Sequence, residues 1–157
     1  MEHDLFRLLS FARAGTLKQL DGLTEELADR IPDGFRNSIR WNLGHVYVVL
    51  ERFAFQYIGL PQQLPDGFKA RFEFGTSPLT ATETAPAPTL AELRALLEGQ
   101  LPRIREALEA RLQEAVEPPY TTSTGLTLAT PEQFLTFNLY HEGMHVSVIK
   151  LYKKLLA

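Results

Sequence analysis

The feature that most constrains this chain is a helical hydrophobic period that recurs in four separate segments. At about residues 2–30 an apolar or small side chain returns every three or four positions. The same interval returns at about residues 38–58, from residue 89 to about residue 112, and from residue 130 onward. A period of about 3.6 residues places these side chains on one helix face, so we predict four amphipathic helices.

Capping signals mark the starts of the later three helices. Asn37 or Ser38 is the predicted N-cap of the second helix. Thr89-Leu-Ala-Glu92 forms a capping box before the third, and Thr130-Pro131-Glu132-Gln133 combines a Thr cap with a proline at the first helical position. Pro102 predicts a kink in the third helix, because proline removes a backbone donor and clashes with the preceding turn.

Four such helices predict an all-α fold, a four-helix bundle that forms a single domain over residues 1–157. The short link after the first helix favours an antiparallel arrangement of helices one and two. The connection at residues 59–88 is long enough to bring the chain back to its starting end, which makes helices two and three parallel. We therefore predict an up-down-down-up topology. Phe68, Phe72 and Phe74 predict that the connection packs on the core, and Gly125 predicts a short hairpin within residues 120–129.

Composition narrows the classes of function. The net charge is −3 with the two signs interleaved, which is unlike the concentrated basic face of a nucleic-acid-binding protein. The absence of cysteine excludes disulfides, thiolate nucleophiles and cysteine-ligated metals. No apolar run is long enough to span a membrane, and the N-terminal residues lack the pattern of a secretory signal. We therefore expect a cytoplasmic protein that binds neither membranes nor nucleic acid.

The strongest chemical signal comes from the histidines. His141 and His145 lie one helical turn apart, on the face that also carries Phe134 and Ile149. Two imidazoles in an apolar core need partners for their lone pairs, and a divalent metal ion is one such partner. His45, near the middle of the second helix, is the candidate third ligand. The alternative is that these are hydrogen-bonded core histidines without a metal, and His3 near the N-terminus is assigned no role.

The ligand types indicate which metal would bind. Three imidazoles without a carboxylate suit zinc or nickel and leave a coordination position for water. The segment His141-Glu-Gly-Met-His145 also matches the His-Glu-x-x-His pattern of zinc peptidases. That class is disfavoured, because residues 146–157 contain no His, Asp or Glu to serve as a downstream third ligand.

Three segments, taken in their order along the chain, resemble the DinB-like (DinB/YfiT) superfamily of metal-binding four-helix proteins. They are Ser38-Ile-Arg-Trp-Asn-Leu-Gly-His45, Phe72-Glu-Phe-Gly-Thr-Ser77 and Asn138-Leu-Tyr-His141-Glu-Gly-Met-His145. The resemblance covers essentially the whole chain. It implies the up-down-down-up bundle, a zinc- or nickel-type metal held by His45, His141 and His145, and a homodimer.

The resemblance also implies a function, a metal-dependent transferase that joins a low-molecular-weight thiol to an electrophile. Asn42, Asn138 and Arg52 are candidates to orient the ligands or a substrate anion. The simpler expectation is that Asn138 hydrogen-bonds within the bundle and that Arg52 reaches solvent. Two alternatives remain. One is a metal-dependent hydrolase with Glu142 as base, although Glu142 is expected at the solvated bundle edge. The other is a non-enzymatic, metal-stabilised stress or interaction module.

Overall fold

Helices dominate the computed structural model, which describes residues 4–157. This confirms the all-α class, while His3 lies outside the described residues. The α-helices are α1 (Asp4–Lys18), α2 (Glu25–Asp29), α3 (Ile39–Glu51), α4 (Phe68–Phe72), α5 (Leu90–Leu108) and α6 (Pro131–Leu155). Strands β1 (Tyr120–Thr121) and β2 (Thr127–Leu128) pair in an antiparallel hairpin, as predicted around Gly125.

The first predicted helix is in fact two helices. α1 ends at Lys18, and the chain turns through Gly22 at a positive φ of 70° before the short α2 begins. Positive φ is readily adopted only by glycine, so the backbone at Gly22 interrupts a hydrophobic period that continues through the turn. The prediction of one helix over residues 2–30 was therefore wrong in its second half.

The predicted caps are confirmed. Ser38 accepts a hydrogen bond from the Trp41 amide at 3.1 Å, and Thr130 accepts one from the Gln133 amide at 3.3 Å. Thr89 and Glu92 form the reciprocal capping box of α5. α5 then continues through Pro102 to Leu108, so the proline does not end the helix. The kink stays a prediction.

The four longest helices pack in a ring. α1 and α3 each contact both α5 and α6. Along α1 and α6 the contacts rise together in residue number, since Arg13 meets Glu142 and Gln19 meets Lys153. None of the helices within residues 4–157 is long and apolar enough to cross a membrane.

Two apolar clusters fill the ends of this ring and a polar layer lies between them. The first contains Leu9 and Phe134 and draws on all four long helices. The second contains Leu43 and Ile149 and draws on α3, α5 and α6, with partly buried Leu17 of α1 packed against it. The same four helices contribute buried polar side chains, which are Arg13, Thr16, Asn42, His45, Glu51, Gln100, Asn138, Glu142 and His145. Every residue of α3 is buried, so this helix forms the centre of the fold.

The connection at residues 59–88 packs against α3. The prediction from its aromatic residues is confirmed for two of the three. Phe68 and Phe72 are buried, whereas Phe74 is 83% exposed and does not contribute to the core. The close approach depends on Gly44, because a Cβ atom there would lie 2.5 Å from the ring of Phe72. The connection is thereby held next to His45.

Candidate metal centre

The structure brings His45, His141 and His145 together although 96 residues separate the first two. One nitrogen of each ring lies within 4.8 Å of the others, and the Nε2 atoms of His45 and His141 are 3.3 Å apart. His45 and His145 are 3% and 8% exposed, and His141 is partly exposed. This group of imidazoles could hold a metal ion.

The orientation of His45 is fixed by the connection that packs on α3. Its Nδ1 lies 2.6 Å from the backbone carbonyl of Phe72. A carbonyl oxygen can only accept a hydrogen bond, so Nδ1 is the protonated nitrogen of the neutral ring. The lone pair is therefore on Nε2, the atom that faces His141.

His145 is oriented in the same way by Asn42. The Nδ1 atom of His145 lies 2.7 Å from Oδ1 of Asn42. The Asn42 amide nitrogen donates to Asn37 and to the carbonyl of Ser38, which leaves its oxygen to face the imidazole. Nδ1 of His145 is therefore a donor, and its Nε2 lone pair is free for a metal. Of the residues predicted to orient the ligands, Asn42 is in the required position.

His141 completes the group and is the least satisfied of the three. Its Nδ1 is buried and has no hydrogen-bond partner, and its Nε2 meets only the Nε2 of His45. An unsatisfied buried polar group costs about 1–3 kcal/mol. A divalent transition metal accepts imidazole lone pairs. Three rings converge here, and two of them, His45 and His145, are oriented by a hydrogen bond from Nδ1. The group therefore fits such an ion.

Burial keeps the three rings neutral. It lowers the pKa of His141 to about 3 and that of His145 to about 4, and the neighbouring imidazoles add to both effects. The pKa of His45 is lowered by burial as well, in opposition to its bond with Phe72. Neutral imidazole is the form that binds metals, so the site is prepared for a metal at neutral pH.

Aromatic side chains enclose the histidines. Trp41 stacks on His45 with ring centroids 4.5 Å apart and an interplanar angle of 13°. Its indole N–H donates to Thr76 at 2.9 Å, which ties it to the connection. Phe53 meets the edge of His141 with centroids 6.4 Å apart. One side of the cluster is thereby covered by packed rings.

The expectation for Glu142 was wrong. Its side chain is 1% exposed rather than solvated, because α1 packs on the flank of α6 that a helical projection places at the bundle edge. The carboxylate accepts hydrogen bonds from Arg13 at 2.7 Å, Thr16 at 2.6 Å and Asn138 at 3.1 Å. Burial raises its pKa, but Arg13 and the other donors outweigh this and lower it. Glu142 is thus a structural anion, and the hydrolase alternative loses its base.

Asn138 hydrogen-bonds within the bundle, as the simpler expectation had it, whereas Arg52 differs from expectation. Asn138 is fully buried and donates to Glu142 rather than to a histidine. Arg52 does not extend freely into solvent, because its side chain is only 19% exposed and pairs with Glu73 at 3.4 Å.

Sequence reasoning missed a buried ion network next to the histidines. Arg13 contacts Glu142, Gln100 and the carbonyl of Leu97, and Gln100 continues the network to Glu51. A signal for it was present, since Arg13 lies four residues after Leu9 on the apolar stripe of α1.

A comparison with protein-family models gives a match to the DinB superfamily over residues 8–149. The matched range contains all three histidines and most of the chain, and it confirms the resemblance inferred from the motifs. A search of the curated proteins finds no match for this sequence.

Proposed function

This chain belongs to the DinB superfamily, and we propose that it is a metal-dependent transferase that joins a small-molecule thiol to an electrophile. The observation that carries the proposal is the convergence of three neutral imidazoles, two of which are oriented by hydrogen bonds from their other ring nitrogen. We propose zinc or nickel as the metal, since the three ligands are all imidazole nitrogens.

Bound at these histidines, such a metal would lower the pKa of a thiol and favour the nucleophilic thiolate. The thiol would lose its proton to solvent, and its sulfur would form a bond to the electrophilic carbon as the bond from that carbon to its leaving group breaks and the leaving group departs with the electron pair. The chain contains no cysteine, so the thiol comes from a second molecule. The protein contributes orientation, because Phe72 and Asn42 fix two of the rings, and water exclusion, because Trp41 covers His45.

The fold that supports this site is, in our proposal, the up-down-down-up four-helix bundle. The contacts between α1 and α6 rise together in residue number. Those between α3 and α6 run in opposite directions, since Asn42 meets His145 while His45, further along α3, meets His141. A ring in which α3 contacts both α5 and α6 supports the same order.

Metal analysis of untagged protein tests the metal site. We expect about one zinc or nickel ion per chain, lost in His141→Ala and retained in Tyr140→Ala, a change at an exposed neighbour on α6. Retention of the metal in His141→Ala, or its absence from wild-type protein after reconstitution, would contradict the assignment. Metal-loaded protein is then screened with thiols and electrophiles for loss of free thiol.

A non-enzymatic, metal-stabilised module is the second candidate. It is favoured by the depth of the site, in which His45 and His145 are 3% and 8% exposed. That function predicts that removing the metal lowers the melting temperature, while the loaded protein binds no thiol. Binding of any small-molecule thiol that depends on the metal would decide in favour of the transferase.

We further propose that the chain forms a homodimer through the groove between α1 and α6. The groove encloses about 680 Å³, and Phe11 and Leu8 beside it are 80% and 52% exposed. Gly15 and Gly143 line the groove and have no side chain to fill it. The space next to them is open, since a Cβ atom at either position would meet nothing within 4 Å. Sedimentation should give a dimer for wild type and for Phe74→Glu, and a monomer for Phe11→Glu. A monomeric wild type would overturn this proposal.

A further inference from the structure

We propose that Arg52 forms a carboxylate-binding subsite beside the histidine cluster, and that a small-molecule substrate of this protein carries a carboxylate group. The inference rests on the proposed function in one respect, because it places that carboxylate next to the proposed metal ligands. The geometry of Arg52 itself is independent of any metal.

The position of Arg52 is set by two elements that also hold the histidines. It follows His45 by seven residues, two helical turns along the same face. At Arg52 the α-helix α3 gives way to a π-helical turn over Arg52–Gln56, in which the Tyr57 amide donates to the Arg52 carbonyl at 3.0 Å. Such turns alter the direction of side chains and are frequent at functional sites. Glu73, the partner of Arg52, directly follows Phe72, whose carbonyl holds His45.

The guanidinium group of Arg52 contacts Glu73 and Tyr57 but keeps one donor unpaired. Its Nε atom is buried and has no hydrogen-bond partner. The separation of 3.4 Å between Nη1 and the Glu73 carboxylate exceeds the roughly 2.7–2.9 Å of a strong charge-assisted hydrogen bond. A guanidinium offers five donors in one plane and matches a carboxylate through two parallel bonds. The unpaired Nε and the loosely held Nη1 therefore suit an incoming carboxylate.

The charge of Arg52 acts on the histidine cluster. Burial is the main cause of the lowered pKa values of His45 and His141, and the positive charge of Arg52 lowers both further. Burial raises the pKa of Tyr57, and the positive charge of Arg52 acts against this by lowering it. Glu73 acts in the opposite sense on His45. The groups around Arg52 are thus one carboxylate, one phenol and two imidazoles kept neutral, so Glu73 is the single anion in this set.

The exposed edge of the cluster is the edge that Arg52 occupies. Arg52 and Glu73 are 19% and 28% exposed, and His141 is the partly exposed histidine. On the other side, Trp41 is 6% exposed and covers the ring of His45. Arg52 is therefore in contact with solvent beside the least buried of the three histidines.

Calorimetric titration of zinc-loaded protein with 3-mercaptopropionate and with 3-mercaptopropionamide tests the subsite. These two thiols differ only in the carboxylate. We expect wild type to bind the acid at least tenfold more tightly than the amide, and Arg52→Met to reduce that ratio to less than twofold. Arg94→Met is the matched control, because Arg94 also pairs with a carboxylate, Asp21, but on α5 away from the histidines, and should leave the ratio unchanged.

Two further variants keep the test decisive if Arg52→Met folds poorly. Arg52→Lys retains the charge but not the paired donors, so an intermediate ratio is expected. Glu73→Gln removes the competing carboxylate and should increase the ratio at least twofold. A ratio near one in wild type, or a ratio that none of these changes moves, would overturn the subsite for a thiol substrate.

A second pair of probes distinguishes a carboxylate on the thiol from one on the electrophile. Glutarate and glutaramide lack sulfur, and their binding is measured with zinc-loaded and with metal-free protein. Glutarate binding that requires Arg52, without a preference between the thiols, assigns the carboxylate to the electrophile. No Arg52-dependent binding of either acid overturns the subsite while the metal site stands. Arg52-dependent glutarate binding by a protein that never retains zinc supports the subsite and rejects the proposed function.

Discussion

Two buried polar clusters share helix α6, and they differ in whether their ionisable groups find partners within the chain. The first is the ion network of Arg13 and Glu142, in which each side chain is at most 3% exposed. Arg13 donates to Glu142 at 2.7 Å, to Gln100 at 3.0 Å and to the Leu97 carbonyl at 2.7 Å. The second is the histidine cluster, in which the Nδ1 atom of His141 has no partner.

The contrast indicates which cluster binds something from outside. Charged groups are buried in proteins when they are paired, and the Arg13–Glu142 network meets that condition within the chain. In the histidine cluster, the Nε2 atoms of His141 and His45 contact each other. Apart from that contact, no cation or further donor among residues 4–157 takes up the converging lone pairs. We infer that the ion network stabilises the fold, whereas the histidine cluster is available for a ligand.

The largest effect expected from a single substitution is from breaking the ion network. Glu142→Ala leaves the Arg13 guanidinium buried without its counter-ion, so the free energy of unfolding should fall by about 3–5 kcal/mol. Urea denaturation of metal-free protein measures this. Glu114→Ala removes an exposed partner of Arg111 and should cost less than about 1 kcal/mol. Equal losses in the two variants would show that the network does not stabilise the fold.

Acid should destabilise the histidine cluster when no metal is bound. An unfolded histidine has a pKa of about 6.5, whereas His141 and His145 titrate at about 3 and about 4 in the folded protein. Between these values the unfolded chain binds protons that the folded chain does not, so stability is present above about pH 6.5 and is lost as the pH falls.

We expect each of these two histidines to contribute a loss of about 3 kcal/mol between pH 7 and pH 4, since each pKa unit corresponds to about 1.4 kcal/mol. Denaturation of metal-free protein over this range measures the loss. The double variant His141→Gln/His145→Gln should show a flatter profile over the same range. Identical profiles for the two proteins would mean that other groups control acid stability.

The smallest expected effect is on the orientation of one ring. Asn42→Ala removes the acceptor of the His145 Nδ1 proton, and loss of such a contact typically lowers metal affinity by about 10- to 100-fold. Competition with a chelator of known affinity measures the change. Gln19→Ala, which removes a partly buried amide far from the histidines, is the control and should leave metal affinity unchanged. An unchanged affinity in Asn42→Ala would show that the rings need no such support.

Much of the fold follows from local patterns in the sequence. The hydrophobic period and the caps at Ser38, Thr89 and Thr130 predicted where three of the long helices begin. These signals are local, because an N-cap bonds an amide two or three residues away. The break after Lys18 was missed, since the apolar period continues through Gly22 and conceals the turn.

The candidate site was predictable to the extent that it depends on helical spacing. His141 and His145 share a face at an interval of four residues, and the resemblance to the DinB superfamily strengthened the case for His45, the candidate third ligand. The pairing of Phe72 with His45 was not predictable, because it joins a backbone carbonyl to a ring 27 residues away. The place of Glu142 was mistaken for a related reason, since a helical projection shows its angle on α6 but not that α1 covers it.

The sequence by itself therefore determined the helical class, the family and the identity of the three histidines. Those properties depend on residue type and on spacing within one helix, and both can be read from short segments of the sequence. Only the tertiary structure decided which nitrogen of His45 and His145 is protonated, that Glu142 is buried and that Arg52 keeps an unpaired donor at the edge of the cluster. Burial and hydrogen-bond direction depend on which helices and loops meet, and no local pattern contains that information.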